Sequence, residues 1–319
     1  MSKRFLFLLC LVGLGGPAEP ALAAGPTVLA AGDIAGCDSS GDTQTATLLD
    51  GLAGTLLALG DLVYPDGTAS EFSSCYGPTW GRHKARTLPA PGNHEYNTGG
   101  AAGYYGYFGT VAGDPNEGWY SFDLGAWHLV ALNSNCAEVG GCERSSAQGE
   151  WLAQDLAQHP SSCTLAYWHH PRFSSGEHGN NVEMQDVWAI LDEHNADLVL
   201  TAHDHDYERF AAQDADGNAS ASGIRSFVVG TGGRSLRAFG ATIAANSELR
   251  SRSSYGVLKL QLDPTHYSWE FVPVAGGTLA DAGTASCVGV VTMTGCGIGP
   301  ELALLLPLLL ALRARRGSR

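Results

Sequence analysis

The chain has 319 residues, 44% of them hydrophobic and 16% charged, with 18 basic against 32 acidic residues and a formal net charge of −14. These values belong to a folded globular protein and exclude a disordered or low-complexity one. The acidic balance repels polyanions and argues against nucleic acid as a partner, so any anionic ligand needs positive charge supplied locally.

The first segment, 1–23, reads as a signal peptide. Lys3-Arg4 precedes the apolar stretch "FLFLLCLVGLGG", and Ala21 and Ala23 stand at small-residue cleavage positions. The apolar stretch is too short to span a bilayer, and the order of features is that of an export signal. The mature chain is thus expected to be exported.

From Pro26 onward, short apolar runs stop abruptly at polar clusters. "TVLAAGD" ends at Asp33, "TLLALGD" at Asp61, "RTLPAPGNH" at His94, "TLAYWHH" at His169 and His170, and "DLVLTAHDH" at His203 and His205. Runs of this length bounded by Gly or Pro suit strands buried on both faces. Between them, "TQTATLLDGLAG", "AQGEWLAQDLAQH" and "NVEMQDVWAILDEHN" carry helical periodicity. "GWYSFDLGAWHLVALNS" and "GVLKLQLDPTHYSWEFVPV" alternate and turn at Gly or Asp-Pro, as antiparallel hairpins do. The expected class is α/β, with layered mixed sheets flanked by helices and a single domain over 24–275.

Residues 276–295 become small and uncharged and are expected to form a tether. In 296–319 about eleven apolar residues, interrupted by Pro307, precede Arg313, Arg315, Arg316 and Arg319. This tail resembles the sorting tails of some bacterial surface proteins, or serves as a short anchor, and implies attachment to a membrane or cell surface. Six cysteines lie between the ends: Cys37, Cys75, Cys136, Cys142, Cys163 and Cys287. In an exported chain an even number points to disulfides. Cys136 with Cys142 would close a local loop and Cys37 with Cys75 would join two loops, but spacing alone leaves the connectivity open. No CxxC spacing suggests a structural zinc.

In open α/β sheets ligands bind beyond the carboxyl ends of the strands. Singly, each polar strand end has an ordinary reading, since Asp after a strand commonly caps a turn. Five such ends in one chain, supplying carboxylate, amide and imidazole, point together to a metal centre. G-x-S-x-G and H-E-x-x-H are both missing, which disfavours serine hydrolase and zinc protease chemistry.

"GDIAG", "GDLVY", "GNHE", "WHHP" and "AHDH", in that order, resemble the five-block signature of calcineurin-like metallophosphoesterases. "GDLVY" with "AHDHDYER" is similar to the purple acid phosphatase branch of that superfamily. The resemblance implies two metal ions, one held by Asp33, Asp61, Tyr64 and His205, the other by Asp61, Asn93, His169 and His203. Ala35 departs from the commoner Asp-x-His of the first block, and Tyr64 would fill the gap. A phenolate favours Fe(III) beside a divalent ion (Fe, Zn or Mn); if Tyr64 only packs against Pro65, two ordinary divalent ions are implied.

The resemblance also implies that His94 contacts the phosphoryl group. His178 would act as a general acid toward the leaving group, or else is a solvent-exposed loop histidine. His170 would lie behind the ligands or on the other side of its strand, and Arg209 would pair with a carboxylate behind the site. Two ions of this kind activate water and clamp phosphoryl oxygens. The implied activity is hydrolysis of small phosphomonoesters by an exported, surface-associated phosphatase. Phosphodiesters or pyrophosphates are alternative substrates, and a surface binding protein with a vestigial metal site is the reading from another class. Neither the natural substrate nor the oligomeric state is named by these residues.

Overall fold

The computed structural model describes residues 25–159 and 163–288. The expected signal peptide and the arginine-rich tail lie outside the described residues. In chain order the strands are β1 (Thr27–Ala31), β2 (Ala35–Gly36), β3 (Thr55–Leu59), β4 (Val63–Tyr64), β5 (Thr87–Ala90), β6 (Tyr120–Leu124), β7 (Trp127–Ala131), β8 (Cys163–Tyr167), β9 (Leu198–Thr201), β10 (Tyr207–Phe210), β11 (Arg225–Val229), β12 (Ser247–Ser251), β13 (Gly256–Leu262), β14 (His266–Pro273) and β15 (Ala282–Ser286). One sheet has the order β15-β14-β13-β1-β3-β5, the other β12-β10-β11-β9-β8-β7-β6, and β2 pairs with β4 alone.

Both large sheets are mixed. β1, β3 and β5 are parallel, as are β7, β8, β9 and β11, while the two expected hairpins, β6-β7 and β13-β14, are antiparallel. The continuous apolar runs follow from burial on both faces. In β8, Leu165 and Tyr167 join a core that also contains Val28, Leu29, Leu56 and Leu258 from the other sheet. The intervening Ala166, and Trp168 just beyond the strand, pack instead with helix residues Leu152, Leu156, Val187 and Leu191. Side chains alternate across a strand, so a layer on each side makes every position apolar.

The helix Ala147–Gln158 starts at Ser146, whose side chain accepts from the Gly149 N–H at 3.1 Å, a cap worth about 1 kcal/mol. The helix Gln185–Glu193 buries Val187, Trp188, Ile190 and Leu191 on one face. Among the described residues no helix is long and apolar enough to cross a membrane.

The expected tether at 276–295 is corrected for its described part. Residues 282–286 form β15, an edge strand paired with β14 from His266↔Ser286 to Glu270↔Ala282. Asp281 accepts from Tyr207 Oη at 2.7 Å and Arg209 Nε at 2.8 Å, and Cys287 is bonded to Cys163. The small residues have a packing cause. A Cβ at Gly283 would lie 2.2 Å from the Trp269 ring, which occupies that space. An edge strand covered by a large neighbour thus reads, in sequence, like a linker. The other two disulfides are Cys37–Cys75 and Cys136–Cys142.

Candidate metal centre

Strands β1, β3, β5, β8 and β9 all deliver their polar ends to one rim. Asp33, Asp61 and His203 adopt left-handed backbone there, with φ of 57°, 49° and 70°. A non-glycine residue in this region costs on the order of 1–3 kcal/mol and persists where surrounding structure imposes it. Close approach supplies part of the constraint. Gly60, with φ +82°, lies where a Cβ would be 2.6 Å from His169 Nδ1, and a Cβ on Gly92 would be 2.2 Å from Asp61 Oδ1.

The buried Glu95 carboxylate does the remaining bracing. It accepts from the backbone N–H groups of Asp61 (2.9 Å), Leu62 (2.8 Å), Val63 (3.3 Å) and Gly92 (2.7 Å). One side chain therefore ties the loop carrying Asp61 and Tyr64 to the loop carrying Asn93.

The polar atoms so positioned converge. Tyr64 Oη donates toward Asp33 Oδ1 at 2.8 Å and Asp61 Oδ2 at 3.0 Å and lies 3.2 Å from His205 Nε2. His205 Nε2 is 3.4 Å from Asp33 Oδ1. On the other side, His169 Nε2 lies 3.3 Å from the same Asp61 oxygen and 3.2 Å from His203 Nδ1. Asp61 Oδ2 thus belongs to both groups. Atoms bound at about 2.0–2.2 Å to one ion lie roughly 3–3.5 Å apart, and these separations match.

Outer partners orient the rings, as metal-binding imidazoles require. His169 Nδ1 faces the Leu59 carbonyl at 2.9 Å, and His205 Nδ1 faces Ser235 Oγ at 2.7 Å. Among the described residues Asn93 Oδ1 is buried with no hydrogen-bond partner, an arrangement that costs about 1–3 kcal/mol when nothing is bound. The orphaned oxygen and the convergent carboxylates and imidazoles fit a pair of cations.

Electrostatics agree. Burial opposes charge on Asp61, but His169 and then His94 hold its carboxyl well below the usual range. Burial likewise disfavours the His169 imidazolium, yet the Asp61 charge prevails and raises the group to about 9. Burial lowers His205, and burial with the neighbouring His169 lowers His203, keeping both in the neutral form that ligation needs. Tyr64 is raised well above its ordinary value by burial and then by Asp33 and Asp61, so its phenol ionises only beside a strong cation.

The substrate-side candidates are at the same rim. His94 turns Nδ1 to the Pro65 carbonyl and leaves Nε2 3.8 Å from Asp61 Oδ2. The His178 ring lies 4.1 Å from that of His203. Asp204 accepts from the His178 backbone N–H at 2.9 Å and faces its Nδ1 at 2.8 Å. A hydrogen bond to Asp204 is the leading reason that His178 is raised from its ordinary value. His170 faces the site, with its ring 4.4 Å from His203 and Nδ1 2.8 Å from Ser134 Oγ.

Arg209 pairs with Glu248 and Asp281 and braces β15. Asp204 and Glu95 escaped the sequence reading, although the Glu three residues past Gly92 follows the spacing of a helix-capping carboxylate. Arg234 also escaped it; its guanidinium lies 5.2 Å over the Tyr64 ring and pairs with Asp38.

The chain is similar to several known proteins. Purple acid phosphatase 15 of Arabidopsis thaliana is 28% identical over 191 residues, covering 48% of this chain and 35% of that protein. Acid phosphatase type 7 of Mus musculus is 29% identical over 154 residues, covering 39% and 33%. The matched regions span about a third of the length of these curated relatives.

Among solved structures, the purple acid phosphatase PPD1 from yellow lupin (Lupinus luteus) seeds superposes with TM-score 0.66 at 19% identity, over 85% of this chain and 55% of that one. GAP50, the anchor in the inner membrane complex of Plasmodium, superposes with TM-score 0.63 at 13% identity, over 84% and 91%. At such identities the likeness is one of fold. The family model described as calcineurin-like phosphoesterase matches residues 26–207, more than half of the chain and every strand end that meets at the rim. By that match the chain belongs to the calcineurin-like phosphoesterase family.

Proposed function

We propose that the protein is an exported, binuclear metal-dependent phosphatase that hydrolyses phosphomonoesters. The observation that carries this reading is the pair of ligand groups sharing Asp61 Oδ2, with Asn93, whose Oδ1 is unpartnered among the described residues, next to His94, whose N–H donates to Asp61 Oδ1. Asp33, Asp61, Tyr64 and His205 would hold one ion, and Asp61, Asn93, His169 and His203 the other. The anionic phenolate that Tyr64 offers favours Fe(III) in the first position with a divalent ion in the second. When bound, the ions supply activated water and local positive charge for the phosphoryl oxygens.

The chain's own groups do the rest. His94, with Nδ1 directed to the Pro65 carbonyl, presents Nε2 to a phosphoryl oxygen. His178, held at Nδ1 by Asp204, presents Nε2 to the leaving oxygen and hands over its proton there. A cavity of about 320 Å³ opens beside Asn93, lined by Tyr96, Asn97, Ser134, Asn135 and His170, with Glu138 and Glu183 in its wall and, among the described residues, no arginine or lysine. Carboxylates there repel a second phosphoryl group, which favours a monoester with a neutral or cationic leaving group over a pyrophosphate. Three disulfides support an oxidising compartment, in keeping with export.

Metal analysis of the purified chain, with a visible spectrum, tests the centre: two ions and a tyrosinate-to-Fe(III) band are expected. Asp61→Ala should lose both ions and all turnover of p-nitrophenyl phosphate; full turnover by that variant refutes the reading. Faster cleavage of bis(p-nitrophenyl) phosphate than of the monoester overturns the substrate class. Fewer than one ion per wild-type chain points to a binding protein on the same fold.

A further inference from the structure

A second group of metal-ligating side chains lies at the opposite end of the seven-stranded sheet. Asp123, His128 and His159 place candidate ligand atoms within 4.8 Å of one another. Cross-strand pairing sets Asp123 opposite His128 in the β6-β7 hairpin, and His128 neighbours Thr164 near the start of β8. His169 follows the end of β8, five residues later, or roughly 16 Å along the strand direction. The two groups are therefore separate sites.

Asp155, on the helix Ala147–Gln158, organises both imidazoles. Its Oδ2 lies 2.7 Å from His128 Nε2, while its backbone carbonyl lies 2.8 Å from His159 Nδ1. Ser121 Oγ donates to the other carboxylate oxygen at 2.8 Å. Asp155 and His159 are four residues apart, the spacing that puts them on one helix face. Carbonyl and carboxylate accept, so His128 Nε2 and His159 Nδ1 carry the protons. His159 Nε2 then keeps its lone pair, whereas His128 Nδ1 also faces a carboxylate oxygen, Asp123 Oδ1 at 2.9 Å, and carries a proton that an ion bound there displaces.

Asp123 Oδ1 lies 2.9 Å from His128 Nδ1, a separation that two ligands of one ion can hold. The rings of His128 and His159 stack at 3.7 Å. Their planes are within 13° of parallel, so the in-plane lone pairs run side by side, and binding one ion requires the His159 ring to turn out of the stack. The Asp123 side chain is 65% exposed while His128 is buried, so an ion reaches the group past Asp123.

We propose that Asp123, His128 and His159 form a second metal site that takes a Zn(II)-like first-row transition ion, with water completing its coordination. Two imidazoles and one carboxylate select such an ion over Ca²⁺ or Mg²⁺, which prefer oxygen ligands. The site joins the β6-β7 hairpin to the end of the helix Ala147–Gln158, a structural task independent of the catalytic reading.

Crystals of the full chain grown with millimolar zinc chloride, measured above and below the zinc absorption edge, test the assignment by position. An anomalous peak among Asp123, His128 and His159 is expected in the wild type. The same peak should vanish in both His159→Gln and the exposed Asp123→Asn, with one fewer zinc ion per chain and unchanged p-nitrophenyl phosphate turnover. Zinc found only at the Asp61 rim, leaving Asp123 and His128 as a plain ion pair, overturns the proposal. So does a peak here that survives both substitutions.

Discussion

Asn93→Ala should change sign in its effect on stability according to whether metal is present. In the metal-free chain Asn93 Oδ1 is buried without a partner; removing such an acceptor relieves a penalty of about 1–3 kcal/mol, less whatever the lost side-chain contacts contributed. Domains of this size move by about 2–4 °C per kcal/mol, so the chelated variant should melt with the wild type or a few degrees above it. With metal bound, the same substitution deletes a ligand. Even the loss of a group behind the ligands weakens metal binding by about 10–100-fold, equivalent to roughly 1.4–2.7 kcal/mol, and stability linked to binding falls accordingly. Melting curves of both proteins in chelator and in excess divalent ion give the four values needed. A chelated variant destabilised by more than about 2 kcal/mol would mean that the Asn93 amide has a protein partner of ordinary value, and an undiminished metal-induced rise would mean that Oδ1 is no ligand; either refutes the reasoning.

His178→Ala should lower kcat by about 10²–10⁴-fold with metal content intact, and a leaving group acidic enough to depart unprotonated should narrow the loss; equal losses for all leaving groups would deny His178 the role of acid. Burial pushes Asp197 up to about 7, against the backbone N–H groups of Thr164 and Val288 that pull it down. The unfolded acid titrates near 4, so between about pH 4 and 7 the folded state binds the extra proton and stability falls as pH rises. In chelator, urea midpoints for Asp197→Asn should lack that slope, and parallel profiles would contradict the shift. The Cys163–Cys287 bridge spans 124 residues of sequence, a loop whose closure is worth about 5 kcal/mol in the chain-entropy model. The paired alanine variant should lose stability on that scale in denaturant titrations, and a loss near zero would show that β15 docks without it.

The strand ends were readable because local rules act there. An apolar run, a glycine and a polar residue mark where a strand leaves its sheet, and the parallel strands β1, β3 and β5 of one sheet with β8 and β9 of the other deliver such ends to one rim. The strand ends marked Asp33, Asp61, His94, His169, His203 and His205, the family resemblance added Tyr64 and Asn93 as candidate ligands, and the two hairpins were legible by their alternation. Other features depend on partners far away in sequence. Glu95 reaches 34 residues back to Asp61, Asp204 holds a histidine 26 residues earlier, and the tether-like Gly283 is small because Trp269 fills its space.

By itself the sequence determined the order of elements, the class of fold and the residue types at the rim, since each rests on residue type and short-range spacing. Only the tertiary structure decided which cysteine closes on Cys163, why three rim residues accept left-handed backbone, and how Asp155 aligns two imidazoles at the far end of the sheet. Those depend on distances across the fold, which appear only once the chain has packed two sheets and their helices against one another.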